Sequence, residues 1–341
     1  MVDPKELIKT IIAAFPDHEA GKRPIHTVGI GVEGYFVASP AAARYCVAEH
    51  MQGQKVPVTV RFSNGSGSPK KHDSWSDARG MATRFHLADG AATDLIAMTF
   101  REFFTPTPET FMGFFKAARP TPDLKRSPWE KLMLMMQLKH PPPDPLPDRP
   151  ESGAQGMLDY ANAHRFAQLS VFDAQYIGAP LSYARAAYHA IHTFVVTGPD
   201  GVRRHVRFSW QPVAGVAKRN PEAAPDNDYL QQELKARIRH WPAEFILQMT
   251  IGEAGDAFDD PSAPWPAKRR RVAMGTLMLN AVAENQSTTI EKMSFNPCRL
   301  LPGIEVSDDP ILKIRLDAYE ESRKMRGGTG CPFHGEAANG N

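Results

Sequence analysis

Short runs in which apolar and polar residues alternate dominate this chain, and such alternation predicts β-strands with one buried face. The runs occupy residues 56–63, 79–86, 93–100, 188–197, 202–210, 245–251 and 273–280. Helical segments are predicted at 3–15, 40–51, 107–117, 129–139, 228–239 and 310–326. Turn residues separate the runs, so the pattern predicts an antiparallel sheet or barrel with flanking helices. The proline-rich stretch 140–152 predicts an extended surface connection.

The segment 23–36 predicts a further strand, which follows a turn fixed by Pro24. Its alternation puts His26 at the head of an apolar face and Gly29 and Gly31 on the opposite face. Glycines are expected on a strand where a flat group or another backbone must approach closely. A histidine on an apolar strand is most often an ordinary core residue, so this segment alone defines no site.

Composition and charge exclude several classes of function. The 341 residues carry a net charge of +2 and no basic stripe with interleaved aromatics, so no nucleic-acid partner is expected. Cys46, Cys298 and Cys331 are scattered, which fits neither a disulfide framework nor a thiolate metal site. The amphipathic segment 3–15 is too short and too interrupted for a signal core or a membrane span. We therefore expect a cytoplasmic protein with no membrane segment.

The predicted helix 310–326 carries candidate metal chemistry. Arg315 and Tyr319 lie four residues apart and therefore share one face of this helix, one turn apart. A free tyrosine titrates near pH ~10, and a guanidinium group hydrogen-bonded to its oxygen favours the phenolate. Such a pair can supply a hard anionic ligand for ferric iron. The same spacing also fits a surface arginine that packs on a tyrosine ring.

The order of these segments resembles the haem catalases, and among them the short, catalase-related peroxidase branch. The motifs that agree in order and spacing between residues 20 and 326 are Arg23-x-x-His26, Gly34-Tyr-Phe36, Val60-Arg-Phe-Ser63, Asp77-x-Arg79-Gly80, Asp94-Leu95, Phe103-Phe104, His192-Thr-Phe194, Leu279-Asn280, Phe295-x-Pro297, Pro302-Gly-Ile304, Asp309, Arg315 and Tyr319. The resemblance implies a single domain over 1–326, an α+β fold built on a haem-catalase-like antiparallel β-barrel with flanking α-helices. The tail 327–341 is expected to be disordered.

The resemblance also implies a haem cofactor, with haem b expected, and a role for each site residue. Tyr319 would be the proximal ligand of the haem iron. Arg315 would keep it ionised, and His192 and Asp309 would extend this network behind the ligand. The residues implied to contact the haem carboxylates or the haem plane are Arg23, Arg61, Arg326, Phe103 and Phe111.

On the distal side the resemblance makes His26 the acid–base residue, oriented by Ser63. It would accept a proton from the peroxide and return it to the leaving oxygen as the O–O bond breaks. Catalases have an asparagine on this side, and the matching positions here are Met98 and Thr99. A valine that narrows the main channel of the family falls near Gly65, which predicts a wider channel.

These departures, with the lack of a long C-terminal extension, favour a peroxidase with little catalase activity. Its partners would be hydrogen peroxide or an organic hydroperoxide and a small organic reductant. Catalase activity is one alternative. A hydroperoxide isomerase or lyase is another, although that branch has threonine where Ile25 stands. A haem-binding protein without turnover is the alternative from a different class. The oligomeric state is left open between a homodimer and a monomer.

Overall fold

The computed structural model describes residues 2–122, 124–142, 144–145, 153–220 and 225–326. The predicted disordered tail 327–341 lies outside the described residues. Part of the proline-rich connection, residues 143 and 146–152, lies outside them as well.

Eight strands close into an antiparallel barrel. They are β1 (Gly29–Ala38), β2 (Lys55–Asn64), β3 (Arg79–His86), β4 (Ala92–Met98), β5 (Tyr188–Thr197), β6 (Arg203–Pro212), β7 (Ala243–Ile251) and β8 (Arg271–Val282). They pair in the order β4-β3-β2-β1-β8-β7-β6-β5, and Met98 of β4 pairs with His189 of β5 to close the ring. A short strand, β9 (Ile304–Val306), pairs with β5. The predicted α+β architecture is confirmed.

The described part of the chain forms seven α-helices around this barrel. They are α1 (Pro4–Ile12), α2 (Pro108–Ala117), α3 (Pro128–Met136), α4 (Ala154–Ala163), α5 (Arg165–Tyr176), α6 (Tyr229–Ile238) and α7 (Pro310–Met325). Five of them match the predicted helices closely, whereas α4 and α5 had no counterpart among the predicted segments. Helices α1, α2 and α7 pack on one another, and α4 packs between α2 and α5.

The helix predicted over 40–51 is wrong. Two single 3₁₀ turns, Ala42–Arg44 and Glu49–Met51, stand in its place. Between them the backbone N–H of Val47 donates to the carbonyl of Thr197 at the end of β5, with an N–O distance of 2.9 Å. This tertiary hydrogen bond uses a donor that a continuous helix would need, so the helical propensity of the alanines is overridden.

The first strand begins at Gly29 rather than at residue 23. His26 has a φ of 58° and therefore lies in the left-handed region, which a strand residue cannot adopt. Its N–H donates to the carbonyl of Gly65, and the N–H of Thr27 donates to the carbonyl of Ser66, both at 3.2 Å. The segment before β1 is thus tied to the loop that follows β2, and this loop fixes where the histidine stands.

The close approach predicted at the β1 glycines is present. A Cβ on Gly29 would lie 2.3 Å from the carbonyl oxygen of Phe62, and a Cβ on Gly31 would lie 2.5 Å from the side chain of Ile290. Side chains of β1 that point the other way, such as Val32, are buried in the barrel interior. The two faces of β1 therefore serve different purposes, because one fills the barrel core and the other admits neighbouring groups.

Apolar side chains form two cores. The first fills the barrel and includes Phe36, Phe62, Phe85, Trp210 and Phe245. The second lies between the barrel wall and the helices, where residues of α1, α2, α4 and α7 meet Ile191 of β5 and Phe103 of the loop after β4. The candidate site residues lie at the border between the second core and the barrel wall.

Candidate active site

A continuous chain of hydrogen bonds runs from β5 to the middle of α7. Arg315 donates from Nη2 to the hydroxyl oxygen of Tyr319 and from Nη1 to Nε2 of His192, both at 2.6 Å. Nδ1 of His192 lies 2.6 Å from a carboxylate oxygen of Asp309. The four residues that the sequence assigned to the proximal network are therefore brought into direct contact, in the order Asp309, His192, Arg315 and Tyr319.

The partners of His192 determine its tautomer. A guanidinium group can only donate, so Nε2 of His192 must accept from Arg315, and the proton must lie on Nδ1 facing Asp309. Burial lowers the pKa of His192, and the nearby Asp309 carboxylate opposes that shift. The imidazole therefore stays neutral and connects the Asp309 carboxylate to the Arg315 guanidinium through its two ring nitrogens.

Local structure explains how these side chains meet. Asp309 caps α7, since its other carboxylate oxygen accepts from the N–H groups of Ile311 and Leu312 at 2.8 and 3.1 Å. The register between β5 and β6 shifts between Ala190 and Phe194, and an irregularity of this kind re-aims the side chains within it. His192 lies inside this irregularity and points towards the start of α7.

On the opposite side, His26 contacts the barrel through Ser63. Nδ1 of His26 lies 3.0 Å from the hydroxyl oxygen of Ser63 on β2. Ser63 pairs with Gly80 of β3, where a Cβ would lie 2.8 Å from both of these atoms. The strand thus needs glycine at residue 80 to leave room for the His26–Ser63 pair.

The surroundings of His26 keep its ring neutral. The pKa of His26 is lowered to about 4, chiefly by desolvation; the positive charges of Arg61 and Arg315 contribute to this shift, and Asp77 opposes it. At neutral pH the imidazole can therefore accept a proton.

The two candidate distal positions differ in their placement. Met98 pairs directly with Gly80, and directly paired residues share one face of a sheet, so the Met98 side chain lies on the face where His26 stands. Thr99 instead accepts a hydrogen bond from the N–H of Arg79 through its hydroxyl oxygen, at 3.0 Å. The hydroxyl of Thr99 thus binds the backbone at the end of the β3–β4 ladder, whereas Met98 lies on the sheet face that His26 contacts.

The absence of a side chain at Gly65 does not by itself open the wider channel that was predicted there. A Cβ there would lie 2.9 Å from a carboxylate oxygen of Asp77 and 3.0 Å from the Cβ of Ala78. Neighbouring side chains therefore already occupy the space that a larger residue would take.

Three arginines predicted to bind carboxylates converge on Glu291. Arg23 and Arg61 form ion pairs with its carboxylate, and Arg326 donates to its main-chain oxygen at 2.9 Å. Burial and the neighbouring Arg61 lower the pKa of Arg23 to about 9, so it is charged at neutral pH. One carboxylate among three guanidinium groups leaves this cluster positively charged.

The aromatic residues assigned to the site are in mutual contact. The rings of Phe103 and Phe111 lie 5.3 Å apart between centroids, and Phe103 lies 6.2 Å from the ring of His192. Both phenylalanines are buried in the second core. They form the apolar wall beside the proximal network.

Comparison with known proteins agrees with this geometry. A family model described as Catalase matches residues 6–332. The chain belongs to the catalase family. Membership of this family makes it an oxidoreductase that acts on peroxide. No helix of the described residues is long and apolar enough to cross a membrane.

Its similar relatives include both small and large catalase-family proteins. A catalase-related peroxidase of Mycolicibacterium paratuberculosis is 33% identical over 91% of this chain and 90% of its own length. Another, from Synechococcus elongatus, is 29% identical over 95% of this chain and 89% of its own length. Catalase-2 of Bacillus subtilis is 29% identical over 95% of this chain, which spans only 48% of that protein.

A solved structure confirms the catalase-like fold. The crystal structure of a fungal catalase superposes with a TM-score of 0.76 at 22% identity, over 91% of this chain and 60% of the fungal one. At this identity the likeness concerns the fold.

Sequence reasoning missed two contributors to this catalase-family site. Glu291 follows a π-helical turn, Gln286–Ile290, in a polar stretch with neither helical nor strand period, so no pattern marked it. The role of Gly80 could not be predicted either. The motif Asp77-x-Arg79-Gly80 indicates the end of a turn, but it does not show that the side chains of His26 and Ser63 occupy the space beside Gly80.

Proposed function

We propose that this protein is a haem-dependent peroxidase that reduces hydrogen peroxide or an organic hydroperoxide at the expense of a small organic electron donor. The observation that carries the proposal is the chain of contacts from Asp309 through His192 and Arg315 to Tyr319. Such a chain has no evident purpose for a structural tyrosine, whereas it suits one that must act as an anion.

The side chains fit haem on two counts. The hydroxyl oxygen of Tyr319 accepts a hydrogen bond from Arg315, and as a phenolate it would be a hard anionic ligand suited to ferric iron. The cluster of Arg23, Arg61, Arg326 and Glu291 has two positive charges more than negative ones, which would match the two carboxylates of haem. When bound, haem supplies the redox chemistry, and Tyr319, the arginine cluster and the aromatic wall of Phe103 and Phe111 would hold it.

The distal residues supply proton transfer. His26 is neutral near pH 7 and can take a proton from the peroxide at one ring nitrogen, then return it to the leaving oxygen, which departs as water from hydrogen peroxide or as an alcohol from an organic hydroperoxide. Ser63 holds Nδ1 of the ring, so that Nε2 is the nitrogen left to face the substrate. The left-handed backbone of His26 sets the direction from which the ring enters the site.

The distal side favours a peroxidase over a catalase. Met98 supplies a thioether, a weak acceptor without a donor, where an amide would orient a second peroxide molecule. A peroxide that lacks this partner is held less well, which leaves an organic donor as the preferred reductant. The catalase-related peroxidases among the similar relatives support the same choice.

The test is an absorption spectrum of the purified protein before and after one equivalent of hydrogen peroxide. We expect a Soret band with a phenolate-type charge-transfer band. Both should change on addition of peroxide and return when a phenolic donor is added. Tyr319→Phe should abolish the charge-transfer band. Tyr45→Phe, whose ring packs beside Arg204 and Arg270, is the matched control.

Two results would contradict the proposal. A protein that takes up no haem has neither the ligand nor the cofactor that we assign. Oxygen evolution from peroxide at catalase-like rates, without oxidation of any organic donor, would make the protein a catalase.

A further inference from the structure

The backbone of His26 is held in a conformation that histidine rarely adopts. A φ of 58° is uncommon for a residue with a Cβ and persists only where surrounding contacts enforce it. The N–H of His26 donates to the carbonyl of Gly65, as described above. The carbonyl of His26 has a different partner, which therefore also helps to hold the backbone and the ring in place.

Arg61 is this partner. It donates from Nη1 to the carbonyl of His26 at 2.9 Å and from Nη2 to the carbonyl of Thr27 at 3.1 Å. Only 3% of its side chain is exposed. A planar guanidinium fork can reach two successive carbonyl groups at once, which the single ammonium of lysine cannot do with the same geometry.

A buried guanidinium group needs a counter-charge, and Glu291 provides it. Its Oε1 accepts from Nε and Nη2 of Arg61 at 3.1 and 2.9 Å. Breaking such a pair would leave an uncompensated charge at a partly buried site. The Glu291 carboxylate also pairs with Arg23, and its main-chain oxygen binds Arg326 at the end of α7.

The turn that carries Glu291 is itself fixed to β1. The side chain of Gln286 accepts from the N–H of Gly31 and donates to the carbonyl of the same residue, both at 2.8 Å. Ile290 fills the space that glycine leaves at residue 31. π-Helical turns are rare and occur frequently at functional sites. Both the position of Glu291 and its contacts are thus determined by the barrel.

We propose that Glu291, acting through Arg61, is a positioning residue that holds the backbone of His26 in its left-handed conformation. The inference rests on the proposed function, since it concerns the residue assigned to proton transfer. Through its main-chain bond to Arg326, the same residue links the distal segment to the helix of Tyr319.

The test compares Glu291→Gln, which removes the charge but keeps the size of the side chain, with Glu305→Gln in the whole protein. Glu305 pairs with Arg203 at the surface, where both side chains are largely exposed. Hydrogen–deuterium exchange is measured by mass spectrometry on peptides that cover residues 23–31. We expect exchange of the His26 and Thr27 amides to rise about tenfold in E291Q and to stay unchanged in E305Q.

Kinetics of the haem-loaded protein give a second readout. If Glu291 positions His26, kcat falls by about tenfold in E291Q while KM for peroxide and haem content are retained. Glu291→Asp keeps the charge and restores part of kcat.

Unchanged exchange in E291Q overturns the proposal. So does loss of haem with unchanged exchange, because Glu291 would then serve only the cluster that binds carboxylates. If E291Q does not fold, Arg61→Lys takes its place with the same expected rise in exchange, and an unchanged value again overturns the proposal. The exchange measurement needs no cofactor, so a protein that binds no haem would contradict the proposed function and leave this test intact.

Discussion

At the scale of single residues, the surroundings of His26 and those of Tyr319 differ in the charges and hydrogen bonds that they present. His26 is kept neutral by desolvation and by two nearby arginines, and it can therefore act as a proton acceptor. The hydroxyl oxygen of Tyr319 instead accepts a hydrogen bond from the guanidinium group of Arg315. His26 is held by Ser63 of β2, whereas Tyr319 is held by Arg315 one turn away on α7.

His26→Ala is expected to lower peroxide-driven oxidation of a phenolic donor by at least about 100-fold, because general acid–base catalysis typically contributes that much. Haem content should stay at the level of the unchanged protein, since the ligand is on the other side. Ser63→Ala should have a smaller effect of about tenfold, because Ser63 orients the ring and does not transfer the proton. Steady-state kinetics with pyridine haemochrome quantification measures both.

His205→Gln is the control for these variants, because His205 stacks on Phe258 outside the site. If His26→Ala keeps its activity, the proton passes through another group and the assignment of His26 is wrong.

The sequence could predict those parts of the site whose residues lie close together in one helix or strand, where periodicity shows which residues share a face. The spacing of Arg315 and Tyr319 on one helix is such a case, and the structure confirms their contact. Periodicity alone could not place His192 beside Arg315 and Asp309; the resemblance to the catalases implied it, and the contacts of the ring are as implied. The role of Glu291 could not be predicted from the sequence either, because its partners Arg23, Arg61 and Arg326 come from three separated segments.

At the scale of elements, the N-cap residue of α7, Asp309, takes part both in the helix and in the candidate site. Asp309 caps the helix with one carboxylate oxygen and receives His192 with the other. The helix N-terminus favours negative charge, so the charge that supports His192 is stabilised by the helix it starts. The position of Tyr319 along α7 is thus coupled to the cap.

Asp309→Ala is expected to lower the free energy of unfolding by about 2–4 kcal/mol, because it removes the cap and leaves a buried N–H of His192 without a partner. Asp3→Ala is the matched control. Asp3 caps α1 in the same Asp-Pro context, but its bond to Lys5 is exposed. Its loss should cost about 0.5–1 kcal/mol. Urea unfolding monitored by circular dichroism measures both, and equal losses in the two variants would contradict a second role for Asp309.

The elements themselves were predictable where the contrast between apolar and polar residues is strong. Alternation located the strands because each has one face in the barrel core. Helix α4 was missed because its buried residues, Gln155, Leu158 and Ala161, include only one large apolar side chain, so its apolar stripe is weak. The failure at 40–51 has another cause, since the hydrogen bond from Val47 to Thr197 is a tertiary contact that no local pattern reveals.

At the scale of the whole molecule, the barrel places histidines in surroundings that disfavour their charged form. Desolvation lowers the pKa of His26, His50 and His189 to about 4 in each case. His26 belongs to the site, His50 packs against Phe85 in the barrel core, and His189 lies where β4 meets β5. Unfolding thus releases these three histidines from surroundings that lower their pKa.

Stability should therefore fall as the pH is lowered. In the unfolded chain histidine titrates near pH ~6.5, so between that value and about 4 the unfolded state binds more protons than the folded one. The free energy of unfolding is expected to decrease by up to about 1.4 kcal/mol per pH unit for each of the three histidines. Urea midpoints at pH 7, 5.5 and 4.5 measure this slope. His50→Gln removes one of the three groups and should make the slope less steep, whatever its effect on stability at pH 7. An equal slope in this variant would mean that His50 is protonated in the folded barrel.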